Sequence, residues 1–299
     1  MEILVTGGTG KAGRRMVEAL AGAGLDVRVG SRHPGAPSEH LTPVDFDWYD
    51  QSTWASALGH AEGLVVKGLD LDQYAAESVR MLLESAPHVR HVVFLSNMGV
   101  EYTPDDHPRR AIELVVQNSG KEWTILRANW FMQNFDEDDA VFAEAIRTRG
   151  EVHAPAGDAK VSFVDTRDLA AATAAVFATA GHDGRAYAIS GPEAISFAEV
   201  AAAIGATCGA SVRHIDGTPE EHREYMRGPD RPAAYVNHIN HLFIPTKAGA
   251  CAAVSGDVEL LTGRPPRTFG SYVEETWSAS ESGLPQPVAH HEKLYSTYQ

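Results

Sequence analysis

The first thirteen residues constrain the fold more than any other segment. Their sequence, MEILVTGGTGKAG, is an apolar strand that runs through a glycine-rich turn into a helical pattern over residues 11–23. A side chain at Gly7, Gly10 or Gly13 would hinder a tight bend, the approach of backbone N–H groups to a pyrophosphate, or helix–strand packing. The helix start adds a positive dipole end. The pattern predicts a dinucleotide-binding turn, with a plain structural turn as the alternative.

Strand and helix patterns alternate through the first half of the chain. Strands are predicted at 26–30, 41–46, 63–66, 91–95, 123–127, 161–164 and 186–190, and helices at 51–58, 71–85, 111–118, 136–149, 166–179, 196–208 and 219–227. Such alternation predicts an α/β fold, a Rossmann-type doubly wound parallel sheet with a smaller C-terminal substrate-binding lobe. We expect the core at 1–155, its sheet completed by 186–190, a mixed α/β lobe at 156–282 and a mobile tail at 283–299.

Ligands bind at the carboxyl ends of the strands in such sheets, and this rule selects the candidate cofactor residues. The end of the second strand has Ser31 and Arg32 and no carboxylate, which favours NADP(H) over NAD(H), because an Arg can pair with the extra phosphate. The alternative for Arg32 is a solvated surface side chain. Asp47 is expected to accept from the adenine amino group, or else to cap a helix. The full candidate set is Gly7, Thr9, Gly10, Lys11, Ala12, Gly13, Ser31, Arg32, Asp47, Lys67, Ser96 and Asn97.

Composition excludes several other classes of protein. The net charge of −15 over 299 residues argues against a nucleic-acid partner, and no apolar run approaches the roughly 20 residues of a membrane span. Cys208 and Cys251 are too few for a disulfide framework and are expected in the core, so a cytoplasmic location is predicted. His238 and His241 are three apart but lack a convincing ligand setting, and we predict no metal. The sequence leaves a homodimer open.

Several stretches together resemble the NmrA-like atypical short-chain dehydrogenases, and within them the group that includes the agroclavine and festuclavine dehydrogenases. The resemblance spans almost the whole chain. It rests on the glycine turn, on residues 46–48 with 52–54, on Glu113 with 119–120, and on 124–127, 130–135, 190–193 and 262–269. The segments 130–135, WFMQNF, and 262–269, TGRPPRTF, are the most specific. The resemblance implies an NADPH-dependent reductase of small, often aromatic or alkaloid-like molecules, in a family that also contains non-catalytic redox sensors.

The residues for proton transfer are unusual for a short-chain dehydrogenase. Such enzymes pair a Tyr with a Lys four residues later, whereas Tyr102 is followed at that spacing by Asp106, whose charge would oppose phenolate formation. Lys67, Tyr102 and His107 are the candidate catalytic residues, and His153, His238 and His241 are further histidines to test. Lys67 could equally be a solvent-facing loop residue.

The predicted substrate is a small hydrophobic or cationic molecule. Trp130, Phe131 and Asn134 are the candidate substrate contacts, and the two aromatic residues could equally be ordinary core. Acidic residues at 70, 72 and 136–139 favour a cationic ligand or, at 136–139, mark a helix start. Hydride transfer to an iminium, or to a quinone or enone, in specialised metabolism is the leading hypothesis. A non-catalytic NADP(H)-sensing regulator and a non-redox isomerase or cyclase are the alternatives.

Overall fold

The computed structural model describes residues 1–69, 72–137, 141–227 and 231–278. Their contacts divide the chain into two compact units. Unit 1 comprises Met1–Ala128, Thr166–Ile189 and Gly256–Pro265, and unit 2 comprises Asn129–Asp165, Ser190–Ser255 and the described residues from Pro266 onward. Each unit is assembled from separated stretches of chain. The sequence suggested a core at 1–155 completed by 186–190 and a lobe at 156–282, and that division stays a prediction. Asp70, Asp138, Asp139 and the predicted mobile tail lie outside the described residues.

The strands and helices are numbered here in chain order over the described residues. The strands are β1 Glu2–Val5, β2 Asp26–Ser31, β3 Leu41–Asp45, β4 Gly63–Val66, β5 His91–Asn97, β6 Glu122–Ala128, β7 Glu151–His153, β8 Lys160–Val161, β9 Arg185–Ile189, β10 Ile195–Ser196 and β11 Arg213–Ile215. The helices are α1 Lys11–Gly22, α2 Trp54–Leu58, α3 Ala75–Ser85, α4 Pro108–Gln117, α5 Ala143–Arg149, α6 Thr166–Ala178, α7 Phe197–Cys208, α8 Pro219–Met226, α9 Ala233–Lys247, α10 Asp257–Thr262 and α11 Phe269–Trp277.

Unit 1 is built on one parallel sheet. Among the described residues, seven strands pair in the order β3-β2-β1-β4-β5-β6-β9, all parallel. The chain moves outward from β1 to β3 and then returns to the other side of β1 to form β4. In sheets of this type the ligand lies outside the carboxyl ends of the strands at that reversal. The predicted Rossmann-type doubly wound sheet is confirmed.

Helices cover the sheet because their apolar residues recur at helical spacing. In α1, Ala12, Met16 and Leu20 lie four residues apart and are all buried. Burying a side chain such as Met16 or Leu20 contributes about 1.5–3 kcal/mol. Helix α6 packs on α1, and α3 packs on α4. All of β4 is buried, as expected for a parallel strand with both faces covered.

The described part of unit 2 has a core rich in aromatic rings and two small sheets. Strands β8 and β10 pair antiparallel, and β7 and β11 pair parallel. Its largest buried side chains are Phe135, Phe142, Phe163, Phe197, Phe269, Tyr272 and Trp277. Cys208 and Cys251 are both free and buried in this core, which confirms their expected place.

Two predicted elements in unit 2 were too long. The helix predicted at 136–149 is α5, given from Ala143; the Asp136 carbonyl accepts a hydrogen bond from the Arg147 guanidinium, and its carboxylate accepts one from the Tyr272 hydroxyl. The strand predicted at 161–164 is limited to β8, because the Ser162 N–H bonds to the Cys251 carbonyl at 3.0 Å. Both places have tertiary hydrogen bonds, which cannot be read from local sequence patterns. No helix within the described residues has the length and apolar character needed to cross a membrane.

Candidate functional site

The turn after β1 requires glycine at two of the predicted positions. Gly7 has φ +60°, in the left-handed region that side chains disfavour. A Cβ on Gly13 would overlap the carbonyl oxygen of Gly7, so the helix can lie this close to the turn only with glycine there. The Gly10 N–H closes the turn on the same carbonyl at 3.3 Å. The turn therefore has the compact form that a pyrophosphate needs.

The start of α1 is suited to an anion. None of the described side chains caps the helix at Gly10, and its first turn contains no acidic residue. The first N–H groups of a helix have no acceptor within it, and the dipole there is positive. A diphosphate fits this arrangement, with the predicted contacts Lys11, Ala12 and Gly13 forming the first turn.

Lys67 and Thr6 connect the glycine turn to the end of β4. The Thr6 hydroxyl donates to the carbonyl of Lys67 at 3.0 Å, and the Lys67 N–H donates back to that hydroxyl at 2.9 Å. The Lys67 ammonium donates to the Gly7 carbonyl at 3.2 Å. Lys67 is thus half-buried beside the turn, and its role in cofactor binding or catalysis stays a prediction.

The end of β2 borders a pocket of about 310 Å³. Thr9 and Ser31, both predicted contacts, line it, and their hydroxyls lie 3.3 Å apart. Arg14, which sequence reasoning did not select, also lines the pocket, and Val17 and Val29 contribute apolar walls. The one signal in the sequence that could have selected Arg14 was its basic side chain directly after the last glycine of the turn. The carboxylate of Glu18 also lines the pocket, so a phosphate on an adenosine ribose would meet hydroxyl and guanidinium donors beside one acidic group.

The predicted adenine contact, Asp47, begins a tight turn after β3. The Asp50 N–H donates to the Asp47 carbonyl at 3.2 Å, and the Tyr49 N–H donates to the Asp47 carboxylate at 3.0 Å. The Trp54 indole N–H also donates to the Asp47 carbonyl, at 2.8 Å. The carboxylate therefore bonds a backbone N–H of its own turn. One of its oxygens is used there, and an adenine contact stays a prediction.

A buried ion cluster that the sequence did not reveal joins α4 to β6 and to the segment after β5. Glu113 is fully buried, and Arg127 donates to its two oxygens at 2.9 and 2.8 Å. Arg110 donates to the same carboxylate at 2.9 Å, and Arg127 pairs with Glu101 at 3.3 Å. Burial raises the pKa of Glu113, but hydrogen bonds from the guanidinium groups outweigh it and hold that pKa below its usual value. The cluster fixes the start of α4 against β6.

The candidate catalytic residues other than Lys67 lie in the segment after β5. Tyr102 ends a short 3₁₀ turn and is 88% exposed, within electrostatic range of Arg127. His107 precedes α4, and burial lowers its pKa, as does the neighbouring Arg109. Its imidazole is therefore mainly neutral at pH 7. Ser96 is buried and Asn97 half-buried at the end of β5.

Trp130, Phe131 and Asn134 belong to unit 2. The Trp130 ring packs on Phe243 with centroids 5.1 Å apart, and its indole N–H donates to the Thr246 hydroxyl at 3.0 Å. Trp130, Phe131 and Asn134 are each half-buried. Trp130 has a clear packing role, and contact with substrate stays a prediction for all three. Within the described ranges, no group of His, Cys, Asp and Glu side chains has the arrangement to hold a metal ion.

A parallel sheet with this strand order and a glycine turn at its reversal defines a dinucleotide-binding protein of the Rossmann type. Family models agree with this class: an NAD(P)H-binding model matches residues 7–178, and an NmrA-like family model matches residues 107–282. The chain belongs to the NmrA-like family of NAD(P)H-binding proteins. The predicted family is confirmed, as is a dinucleotide cofactor of the NAD(P)(H) type.

Relatives of known activity align over nearly the full chain. An NAD(P)H azoreductase of Xenophilus azovorans is 33% identical over 91% of this chain and 96% of its own. The agroclavine dehydrogenase of Claviceps fusiformis is 28% identical over 92% of this chain and 97% of its own. Among solved structures, an NADPH-dependent quinone oxidoreductase of Escherichia coli, complexed with NADPH, superposes with a TM-score of 0.78 at 22% identity, covering 91% of this chain and 99% of that one. The match to the quinone oxidoreductase structure supports the fold.

Proposed function

We propose that the protein is an NADPH-dependent reductase that transfers hydride to a small hydrophobic molecule with a polarised C=N bond, a quinone or an enone. The observation behind the cofactor part is the end of β2, where Ser31 and Arg32 replace the carboxylate typical of NAD(H) sites beside a pocket lined by Thr9 and Arg14. A relative named as an NAD(P)H azoreductase supports the reductase part, and a second, named as an agroclavine dehydrogenase, supports redox chemistry on a small molecule.

The groups near the site favour a substrate that needs little help from an acid. Bound NADPH supplies the hydride. An iminium that accepts it becomes a neutral amine and requires no proton, whereas a ketone becomes an alkoxide and does. Tyr102 is followed by Asp106 where a Lys would lower its pKa, and His107 is mainly neutral. These residues fit an iminium better than a ketone.

The remaining assignments follow from this proposal. Lys67 holds the glycine turn through the Gly7 carbonyl and so positions the nucleotide. Tyr102 and His107 stay candidates for a proton donor to a quinone or enone. Trp130, Phe131 and Asn134 are proposed substrate contacts, and a cytoplasmic setting in specialised metabolism is part of the same proposal.

A substrate panel tests the reaction directly. NADPH oxidation by the purified protein is followed with a cyclic iminium, a quinone, an enone, an azo dye and an unactivated ketone. We expect turnover with the iminium or with the quinone and enone, and none with the ketone. Tight NADPH binding without oxidation by any compound would contradict the reductase proposal and favour the sensor.

Arg32→Ala tests the cofactor preference. Loss of a charge-assisted pair with a phosphate costs about 1.5–3 kcal/mol, and each 1.4 kcal/mol is tenfold in affinity. We expect the Kd for NADPH to rise about 10- to 100-fold and the Kd for NADH to change less than threefold, measured by calorimetry.

Arg90→Ala is the matched control for that substitution. Arg90 is exposed, pairs with Glu62 and lies directly before β5, at the amino ends of the strands and away from the glycine turn. Both Kd values should stay unchanged in this variant. Equal weakening of NADPH and NADH by Arg32→Ala would contradict a role in reading the phosphate.

A further inference from the structure

The turn after β3 holds one aromatic side chain outward. The Asp50 N–H closes the turn on the Asp47 carbonyl, and the intervening Trp48 turns inward, where its indole N–H donates to the Lys67 carbonyl at 3.2 Å. The next residue, Tyr49, is consequently 63% exposed. Hydrogen bonds fix the turn and the Trp48 indole. The backbone that bears the Tyr49 ring is therefore already in place, at the carboxyl ends of the strands.

The turn that bears Tyr49 lies beside the end of β2. Strand β3 pairs with β2 through to its last residue, which lies opposite Ser31. The electrostatics agree with this position: burial of part of the ring raises the pKa of Tyr49, the carboxylates of Asp72 and Asp47 raise it further, and the guanidinium of Arg32 lowers it. Tyr49 thus stands on the side of the glycine turn where β2 and β3 end.

This position is where the adenosine half of a dinucleotide belongs. The ribose is read at the end of β2, so the base lies toward β3, while the nicotinamide lies toward the other half of the sheet. We propose that the Tyr49 ring stacks on the adenine of the bound cofactor, while Arg32 pairs with the phosphate. This inference rests on the proposed use of NADPH. Stacking needs the aromatic ring and not its hydroxyl, because the π-face makes the contact.

Calorimetric titration of the full chain tests the stacking. The probes are NADPH, NADH and 2′,5′-ADP, which keeps the adenine and the extra phosphate but lacks the nicotinamide. For Tyr49→Ala we expect the Kd of all three probes to rise about tenfold, within the usual range for a base stacked on one aromatic ring. For Tyr49→Phe we expect Kd values within twofold of the wild type. This pattern differs from that of Arg32→Ala, which should spare NADH.

Tyr74→Ala is the matched control, because Tyr74 is 67% exposed in the loop after β4. It should leave all three Kd values within twofold of the wild type, and the unfolding midpoints of all variants should agree. Three results would each overturn the stacking. They are a loss of affinity in Tyr49→Phe as large as in Tyr49→Ala, an unchanged Kd for 2′,5′-ADP in Tyr49→Ala, and a loss of affinity in Tyr74→Ala as large as in Tyr49→Ala.

Failure of the proposed function would look different. If the wild type binds NADPH but reduces no compound of the panel, the reductase proposal fails and the stacking proposal stands. A wild type that binds no nucleotide overturns both.

Discussion

Gly13→Ala is expected to abolish nucleotide binding, raising the Kd for NADPH at least 100-fold. The new methyl group would overlap the Gly7 carbonyl oxygen, a backbone atom that cannot move aside as a flexible side chain would. Either α1 shifts away from β1 or the turn opens, and both displace the first-turn N–H groups from the pyrophosphate. Calorimetry with NADPH, together with a thermal unfolding curve, measures the effect.

The control for this prediction is Gly22→Ala in the same helix. A Cβ at Gly22 meets nothing within 4 Å, so alanine there should leave the Kd unchanged and the unfolding midpoint the same or slightly higher. NADPH binding by Gly13→Ala within threefold of the wild type would show that the turn does not form the phosphate site.

Glu113→Gln is expected to destabilise unit 1 by about 3 kcal/mol. Removing one partner of a buried ion pair leaves the other charge without compensation, which typically costs about 3–5 kcal/mol. Here one carboxylate serves both Arg127 and Arg110, and a neutral amide cannot accept from both guanidinium groups with the same strength. Urea unfolding at pH 7 measures the change in free energy.

The same substitution should also change the acid dependence of stability. The pKa of Glu113 is lower in the folded protein than its ordinary value of 4.5. The unfolded chain therefore binds the proton more readily, and the stability that Glu113 contributes is present above about pH 4.5 and is lost as the pH falls further. The difference between wild type and Glu113→Gln should shrink in that acid range.

Glu77→Gln is the comparison for Glu113. Glu77 also pairs with an arginine, Arg80, but both side chains are about half exposed. Its replacement should leave the unfolding midpoint unchanged, because solvent screens an exposed pair. A loss for Glu113→Gln no greater than that for Glu77→Gln would refute the importance of the buried cluster.

The sequence predicted the features that depend on local patterns. The strand, turn and helix of residues 1–23 and the alternation up to β6 follow from spacing of apolar residues and from glycine. The pairing of Glu113 with Arg127 could not be predicted, because it joins a helix to the neighbouring strand and depends on three-dimensional contacts. The outward position of Tyr49 was also hidden, because it depends on a bond from Trp48 to Lys67, nineteen positions along the chain.

The interleaving of the two units has a consequence for biosynthesis. A ribosome releases residues 1–128 well before it releases α6 and β9, and until then β6 is an unpaired edge and α1 lacks the helix that packs on it. Exposed edges of this kind invite pairing with other nascent chains. A fragment ending at residue 155 would keep that edge permanently, so we expect it to accumulate as aggregates, whereas the full chain closes its own sheet once β9 emerges.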